Sequence, residues 1–198
     1  MHSTTYHKAS SASEAASLLS GAEDGTLLAG GQTLLPTMKQ RLAAPSDLVD
    51  ISGVADMRGI TVSGSTVTIG AMTTHAEVAA SAEFRAVCPS LCDLAAHIGD
   101  PAVRNRGTLG GSVANNDPAA DYPAAMLALG AVIKTDKREI AADDFFQGMF
   151  ATDLDEGEII TSVSFEAPSK GAYAKFPNPA SRYAIVGVFV ADHGKEIR

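Results

Sequence analysis

The spacing of apolar residues predicts a mixture of short helices and short strands from the start of the chain. Residues Ser10 to Leu19 carry their apolar side chains on one side of a helix, and Thr26 to Ala29 predicts a strand that runs into Gly30-Gly31. The run at 34–43 has apolar residues at helical spacing and predicts a second helix, which we expect to end at Pro45.

The pattern then changes to short runs typical of β-strands. Three strands are predicted within residues 47–52, 59–64 and 65–72, with Gly64-Ser65 as a tight hairpin turn. The stretch from His75 to Ile98 is rich in Ala, Glu and Leu, and it predicts two helices separated near Pro89.

The second half of the chain continues this alternation. We expect a helix from Tyr122 to Leu129, a strand pair with a short helical piece over 131–146, and a strand over 158–167. The closing apolar run, YAIVGVFVADHG at 183–194, predicts one buried strand.

Charge and hydropathy restrict the partners of the protein. The formal net charge of −8 argues against a nucleic-acid backbone or an anionic membrane as the main partner, because both would repel an acidic surface. No apolar run approaches the ~18 to 20 residues that span a bilayer, and the polar start lacks the features of a signal peptide. A cytoplasmic location is therefore expected.

Cys88 and Cys92 are the only cysteines. Two thiols are too few for a four-thiolate iron–sulfur or zinc site within one chain. Their spacing favours two reduced cysteines on one face of a helix, at least one of them buried, and leaves a redox or metal role as the alternative.

Two glycine-rich turns are the main candidates for ligand binding. In LLAGGQTLLP, Gly30 and Gly31 lie between a strand and a helix start, where backbone amides can surround a diphosphate. The same pattern is also compatible with a simple turn, and it is not a G-x-G-x-x-G fingerprint. In RNRGTLGGSVANNDPAADYP, glycines again free the backbone while polar side chains offer hydrogen bonds. Two such turns predict an extended phosphate-bridged ligand, such as a dinucleotide, between two subdomains.

Three segments, in order along the chain, carry a specific resemblance. AGGQTLLPTMK at 29–39, TIGAMTTHAEV at 68–78 and VRNRGTLGGSVANNDPAADYPAAMLALGA at 103–131 closely resemble the FAD-binding (medium) subunit of the molybdenum hydroxylases. The resemblance implies the α+β fold of the vanillyl-alcohol oxidase type, in which two subdomains hold FAD without covalent attachment. It implies a first FAD-binding subdomain at 1–55, a second at 56–170 and, at 171–198, the start of a truncated C-terminal α+β domain.

The resemblance also assigns cofactor-binding residues by position. Ala29, Gly30, Gly31, Gln32 and Thr33 would hold the diphosphate from one side, and Thr108, Leu109, Gly110 and Gly111 from the other. Ser112, Asn115 and Asp121 would reach the sugar and ribityl hydroxyls. The remaining expected neighbours of the cofactor are Ile98, Gly99, Ile160, Lys175 and Tyr183.

The resemblance implies that the cofactors are distributed over three subunits. This chain would bind FAD only, and it would have neither a catalytic residue nor a metal ligand of its own. A large partner subunit would hold the molybdenum cofactor, and a small partner subunit two [2Fe–2S] clusters that pass electrons to FAD and on to an external acceptor such as NAD⁺ or oxygen. A stand-alone flavin oxidase or diaphorase, and a non-catalytic assembly module, are alternatives.

Other polar residues favour structural roles. His75 is expected at a helix start with a structural hydrogen bond, rather than as a catalytic base. Arg104 and Arg106 either pair with phosphate, anchor their loop or face a partner subunit. Six carboxylates are expected to be solvated loop or helix-cap charges: Asp143, Asp144, Asp153, Asp155, Glu156 and Glu158.

Overall fold

A small parallel sheet forms the first part of the protein in the computed structural model, which describes residues 1–198. Its strand order is β1-β3-β2, with β1 at Thr5–Lys8, β2 at Gly25–Leu28 and β3 at Asp47–Asp50. Helix α1, Ala12–Gly21, packs on β2 and β3, and α2, Leu34–Lys39, follows the turn after β2.

A five-stranded antiparallel sheet forms the second part, in the order β4-β5-β10-β6-β7. Its strands are β4 Ile60–Ser63, β5 Thr66–Gly70, β6 Val132–Thr135, β7 Glu139–Ala141 and β10 Ile160–Glu166. The central strand β10 pairs with β5 on one side and β6 on the other, so a late segment of the chain joins the two halves of the sheet.

Helices cover this sheet and fill the connection between its halves. They are α3 His75–Ala80, α4 Ala82–Val87, α5 Pro89–Ala96, α6 Pro101–Arg104, α7 Leu109–Asn115, α8 Tyr122–Ala128 and α9 Ala142–Phe145. One continuous hydrophobic core runs from Val49 of the first sheet to Ile69 and Val163 of the second. None of the helices combines the length and apolar character required to cross a bilayer.

Two hairpins complete the structure. A minor one pairs β8, Phe146–Gly148, with β9, Ala151–Thr152. A longer one pairs β11, Lys170–Pro177, with β12, Ala184–Asp192, and packs against α5 and α8.

Most of the predicted strands and helices are present, and the hairpin at Gly64 is confirmed by its φ of 63°. The predicted second helix is too long, however, because it ends at Lys39, before Pro45, and Arg41 takes a left-handed φ of 61°. The expected pair of helices over 75–98 is wrong as well. Ser81 ends α3 and caps the start of α4 by accepting a hydrogen bond from the Phe84 amide, so three helices occupy this stretch.

The prediction of a buried closing strand is wrong. On β12 only Phe189 and Ala191 are buried, whereas Ile185, Val186 and Val188 are more than half exposed. The cause is that this strand belongs to a two-stranded hairpin with a single packed face. The partner strand β11 and the first strand β1 were not predicted, because neither has a clear apolar alternation.

The two cysteines are free, and both are fully buried. The prediction of reduced cysteines, at least one of them buried, is confirmed. Cys88 lies at the junction of α4 and α5, and Cys92 within α5. Burial raises the pKa of the Cys92 thiol to about 11, so it stays protonated near neutral pH.

Candidate functional site

A groove of about 680 Å³ runs between the first sheet and the helical side of the second sheet. This volume is within the ~300 to 1,000 Å³ typical of small-molecule and cofactor sites. The groove brings together nearly all residues singled out from the sequence: Ala29, Gly30, Gly31, Gln32, Thr33, Ile98, Gly99, Thr108, Gly110, Gly111, Ser112, Asn115, Asp121, Ile160 and Tyr183. Leu109 and Lys175 are not among its lining residues.

The first glycine turn offers a row of free backbone donors. The amides from Ala29 to Leu34 donate no hydrogen bond to any group of the protein. Gly31 has a φ of 71°, which turns the chain sharply between β2 and α2. The Thr33 hydroxyl does not cap the helix that follows it, so it is free to act as a further donor. Consecutive free amides of this kind form a positive concavity suited to phosphate oxygens.

The second glycine turn contributes differently. The amides of Leu109 and Gly110 already donate to the carbonyls of Thr73 and Ala71, at 3.0 and 2.9 Å, and the Leu109 side chain is fully buried. Free polar groups on this side are the Thr108 amide and the side chains of Ser112 and Asn115. Ser112 and Asn115 are one helical turn apart on α7, so both face the groove. This side is therefore suited to hydroxyl groups as well as to phosphate.

The two turns are in direct contact, and glycine is required for it. A Cβ at Gly30 would lie 2.7 Å from the Cα of Gly107 and closer still to the Arg106 carbonyl. At Gly110, a Cβ would lie 2.5 Å from the Cβ of Ala71. The glycines thus close the floor of the groove by bringing backbone against backbone.

Several residues that line the groove were not predicted from the sequence, because they come from segments distant from the glycine turns. Their shared feature is an apolar side chain that gives the groove apolar walls, and they include Leu27, Leu34, Ile51, Met72, Val103, Leu154 and Ile159. Such walls suit an aromatic ring system. Three further titratable residues, His75, Glu158 and Arg182, also line the groove.

His75 is the first residue of α3, as expected, but the expected structural hydrogen bond is wrong. The residue is 5% exposed, and its buried Nδ1 atom has no hydrogen-bond partner. Burial, with a smaller contribution from the positive charge of Arg104, lowers the pKa of His75 to about 4. The imidazole is therefore neutral at pH 7. It packs against the ring of Tyr122, with centroids 5.4 Å apart.

Glu158 also departs from the prediction of a solvated charge. Its side chain is fully buried, and Oε1 accepts hydrogen bonds from Arg138 Nε at 3.1 Å and from the Thr135 hydroxyl at 2.7 Å. The Asp155 amide donates to Oε2. The Arg138 hydrogen bond and these other donors lower the pKa of Glu158 to about 2. The cluster fixes the loop before β10, which carries Ile159 and Ile160 into the groove.

We expect Glu158→Gln to lower the free energy of unfolding by about 2 to 3 kcal/mol at pH 7, because a neutral amide replaces the buried carboxylate that accepts hydrogen bonds from Arg138, Thr135 and the Asp155 amide. Glu158 has a lower pKa in the folded state than in the unfolded state, so its contribution is complete above pH ~4.5 and is lost as the pH falls toward 2. Urea unfolding between pH 7 and 3 measures both effects. Glu139→Gln, at an exposed ion pair 3.9 Å long, is the matched control and should change stability by less than about 0.5 kcal/mol. Equal effects of the two substitutions would contradict the prediction.

Asp121 is held by two residues of β11. The Lys175 ammonium lies 2.9 Å from its carboxylate and also donates to the His97 carbonyl, and the Tyr173 hydroxyl donates to Asp121 as well. Both members of the ion pair are at most 5% exposed. Lys175 therefore lies behind the wall of the groove and links this wall to the hairpin of β11 and β12. Burial and the hydrogen bond to Asp121 raise the pKa of Tyr173.

Arg104 serves to anchor its loop, one of the roles left open by the sequence. Its Nη1 donates to the carbonyls of Ile98 and Gly99, at 2.9 and 3.3 Å. This contact stabilises the turn at Gly99, where φ is 50°. The turn carries Ile98 and Gly99, which line the groove together with Tyr183.

Comparison with known proteins gives a consistent result. Residues 2–168 match a family model described as the FAD binding domain in molybdopterin dehydrogenase. The carbon monoxide dehydrogenase medium chain of Hydrogenophaga pseudoflava is 40% identical over 193 residues, covering 93% of this chain and 67% of that protein. The nicotine 6-hydroxylase medium subunit of Paenarthrobacter nicotinovorans is 37% identical over 190 residues, with the same coverage.

Solved structures agree with the sequence relatives. A chain of quinoline 2-oxidoreductase from Pseudomonas putida 86 superposes with a TM-score of 0.91 at 34% identity, over 96% of this chain and 68% of that chain. A chain of carbon monoxide dehydrogenase from Hydrogenophaga pseudoflava superposes with a TM-score of 0.90 at 39% identity. The chain spans about two thirds of the length of these relatives. The α+β architecture inferred from the sequence is thereby confirmed.

Proposed function

Since the chain belongs to the family of FAD-binding domains of molybdopterin dehydrogenases, we propose that it holds FAD non-covalently and serves as the flavin subunit of a molybdenum-containing dehydrogenase. Bound FAD supplies the redox chemistry, because it accepts and releases electrons singly or in pairs. The protein supplies binding, orientation and the electrostatic environment. The observation that carries the proposal is the contact of two glycine turns, one with a row of free amides, at the floor of a groove of cofactor size.

Different residues would bind different parts of the cofactor. The free amides from Ala29 to Leu34 would hold the diphosphate, since successive backbone N–H groups donate hydrogen bonds to phosphate oxygens. Ser112 and Asn115 would bind sugar or ribityl hydroxyls. The apolar walls would exclude water from the ring systems, and the neutral imidazole of His75 adds no charge near them. Ile98, Gly99, Ile160 and Tyr183 would border the rings.

Three partners follow from the same proposal. The relatives are medium chains or subunits of larger enzymes, so a large molybdenum-cofactor subunit and a small [2Fe–2S] subunit would complete the complex. Electrons would pass from the clusters to FAD and then to an external acceptor. The complex would act in the cytoplasm, and the substrate pocket would lie in the large subunit.

The visible absorption spectrum of the purified chain, taken before and after acid precipitation, tests the cofactor assignment. We expect bands of oxidised flavin that move entirely into the supernatant, because the groove holds FAD through hydrogen bonds and packing alone. Colour that stays in the pellet would contradict non-covalent binding. A colourless protein that also fails to bind added FAD would overturn the proposal.

Affinity purification from the source cells tests the partners. A tagged chain should retain one larger chain that contains molybdenum and one smaller chain with the spectrum of iron–sulfur clusters. A yellow protein that turns over alone, without either chain, would instead indicate an independent flavin oxidase or diaphorase.

A further inference from the structure

The buried ring of His75 is a polar group of the groove that has no partner in the protein. His75 lines the groove and is 5% exposed. Its Nδ1 atom is enclosed and unpaired, and so is the hydroxyl of Tyr122, whose ring packs against the imidazole. Buried polar atoms are nearly always hydrogen-bonded, because an unpaired one destabilises the folded protein. Two unpaired polar atoms in contact with each other therefore indicate a function other than stability.

The backbone around His75 fixes its ring against the second glycine turn. The His75 amide donates to the Gly107 carbonyl at 3.0 Å, and Thr74 and Thr108 form a β-bridge beside it. A Cβ at Gly107 would lie 2.6 Å from His75 Nε2, so glycine is needed there to leave room for the ring. The Cα of Gly107 in turn lies against Gly30 of the first turn. The imidazole is thus held close to the contact between the two turns.

The protonation state of the ring determines what it can offer to a ligand. Burial and the charge of Arg104 lower the pKa of His75 to about 4, so the imidazole is neutral at pH 7 and carries one N–H. An unpaired buried N–H is rarer in proteins than an unpaired buried acceptor, which favours the proton on Nε2 rather than on the enclosed Nδ1. Nε2 is also the ring nitrogen that a molecule in the groove can reach. The ring therefore presents a single N–H donor to the groove.

We propose that His75 is a phosphate-binding residue, whose Nε2–H donates a hydrogen bond to an oxygen of the FAD diphosphate beside the free amides of the first glycine turn. The inference rests on the proposed function, because it concerns the same groove. Hydrogen bonds to charged groups are about twice as strong as those between neutral groups. The bond gained in the complex therefore compensates for the unpaired ring of the free protein. His75 lowers the stability of the apoprotein and raises its affinity for FAD.

Thermal unfolding of the apoprotein and fluorescence titration with FAD test this role together. Leucine is close to histidine in volume and has no polar side-chain atom. His75→Leu should raise the melting temperature of the apoprotein by roughly 2 to 4 °C and weaken FAD binding at least ~10-fold. A structural role of His75 predicts the opposite change in stability. A lower melting temperature, or an unchanged FAD affinity, would overturn the proposal.

Two further variants separate the hydrogen bond from the packing of the ring. His75→Gln should recover most of the FAD affinity, because its side-chain amide can place an N–H donor near the position of Nε2. Tyr122→Phe is the matched control, since it removes the other unpaired buried atom from a residue that does not line the groove. It should raise the melting temperature in the same way and leave FAD affinity unchanged. A loss of affinity equal to that of His75→Leu would contradict a role for the imidazole itself.

Two fragments of FAD locate the contact. Isothermal titration with ADP probes the diphosphate, and titration with riboflavin, which has no phosphate, probes the flavin end. His75→Leu should weaken ADP binding about as much as FAD binding and leave riboflavin binding unchanged. Equal losses for the two fragments would exclude a contact at the phosphates. If the unchanged protein fails to bind FAD, the proposed function itself fails. If it binds FAD and His75→Leu binds FAD equally well, only this inference fails.

Discussion

Replacing Gly30 by alanine should abolish FAD binding. The added methyl group would lie 2.7 Å from the Gly107 Cα and even closer to the Arg106 carbonyl. Carbon atoms pack favourably at ~3.5 to 4.0 Å, and backbone atoms cannot rotate away as a side chain can. The two glycine turns must therefore separate, which displaces the free amides from the phosphates. We expect at least a ~100-fold loss of FAD affinity and a fall in unfolding free energy of about 1 to 3 kcal/mol.

Fluorescence titration of the apoprotein with FAD measures the affinity, and urea unfolding measures the stability. Gly21→Ala is the matched control, because Gly21 ends helix α1 and a Cβ there has no atom within 4 Å. It should bind FAD normally. If Gly30→Ala binds FAD as tightly as the unchanged protein, the turns do not form the cofactor site.

A second variant keeps the test informative if Gly30→Ala does not fold. A Cβ at Gly111 would lie 3.7 Å from the Cβ of Ala29, and its tightest contact would be 3.0 Å to the Thr108 hydroxyl. Gly111→Ala should therefore fold with stability close to that of the unchanged protein while narrowing the space between the turns. We expect about tenfold weaker FAD binding.

Lys175→Met should destabilise the protein by about 3 to 5 kcal/mol, because it leaves the carboxylate of Asp121 buried beside Tyr173 without a countercharge. The loss should appear in chemical unfolding at pH 7. The double variant Lys175→Met with Asp121→Asn should recover much of the stability, since neither charge is then buried.

Lys134→Met is the matched control for this ion pair. Lys134 also lies on a strand and pairs with a carboxylate, but at 3.9 Å and with its side chain 57% exposed. Its replacement should cost less than about 1 kcal/mol. If the two substitutions lower the free energy of unfolding equally, the ion pair at Asp121 does not stabilise the contact between the hairpin and the groove.

The glycine turns could be predicted from the sequence because each is a local feature. A strand, two glycines and a helix start are read within ten residues, and the structure places Gly30, Gly31 and Thr33 together at the groove. The parallel and antiparallel sheets, in contrast, depend on pairings between distant segments. The sequence indicated the strands β5 and β10 but contained no local signal for their being neighbours.

Titratable residues were the least predictable part of the site. Glu158 lies in an acidic stretch that is typical of a solvated loop, yet it is buried because Arg138, 20 residues earlier, reaches it across the sheet edge. His75 has the sequence context of a helix start, and its burial depends on packing against Tyr122. The apolar run at β12 predicted burial but did not show which of its two faces would be packed.

The position of β10 at the centre of the second sheet determines when that sheet can form during synthesis. Its neighbour β5 ends at Gly70, and β10 begins at Ile160, about 90 residues later. At ~5 to 20 residues per second, a ribosome needs roughly 5 to 20 s to make this stretch. Throughout that time the edge of β5 that will face β10 has no partner, and the corresponding edge of β6 has none once β6 is made, while the sheet of β1 to β3 can already be complete. The nascent chain therefore exposes unpaired strand edges that chaperones can protect. The yield of folded protein should depend on translation speed and temperature even where the finished protein is stable.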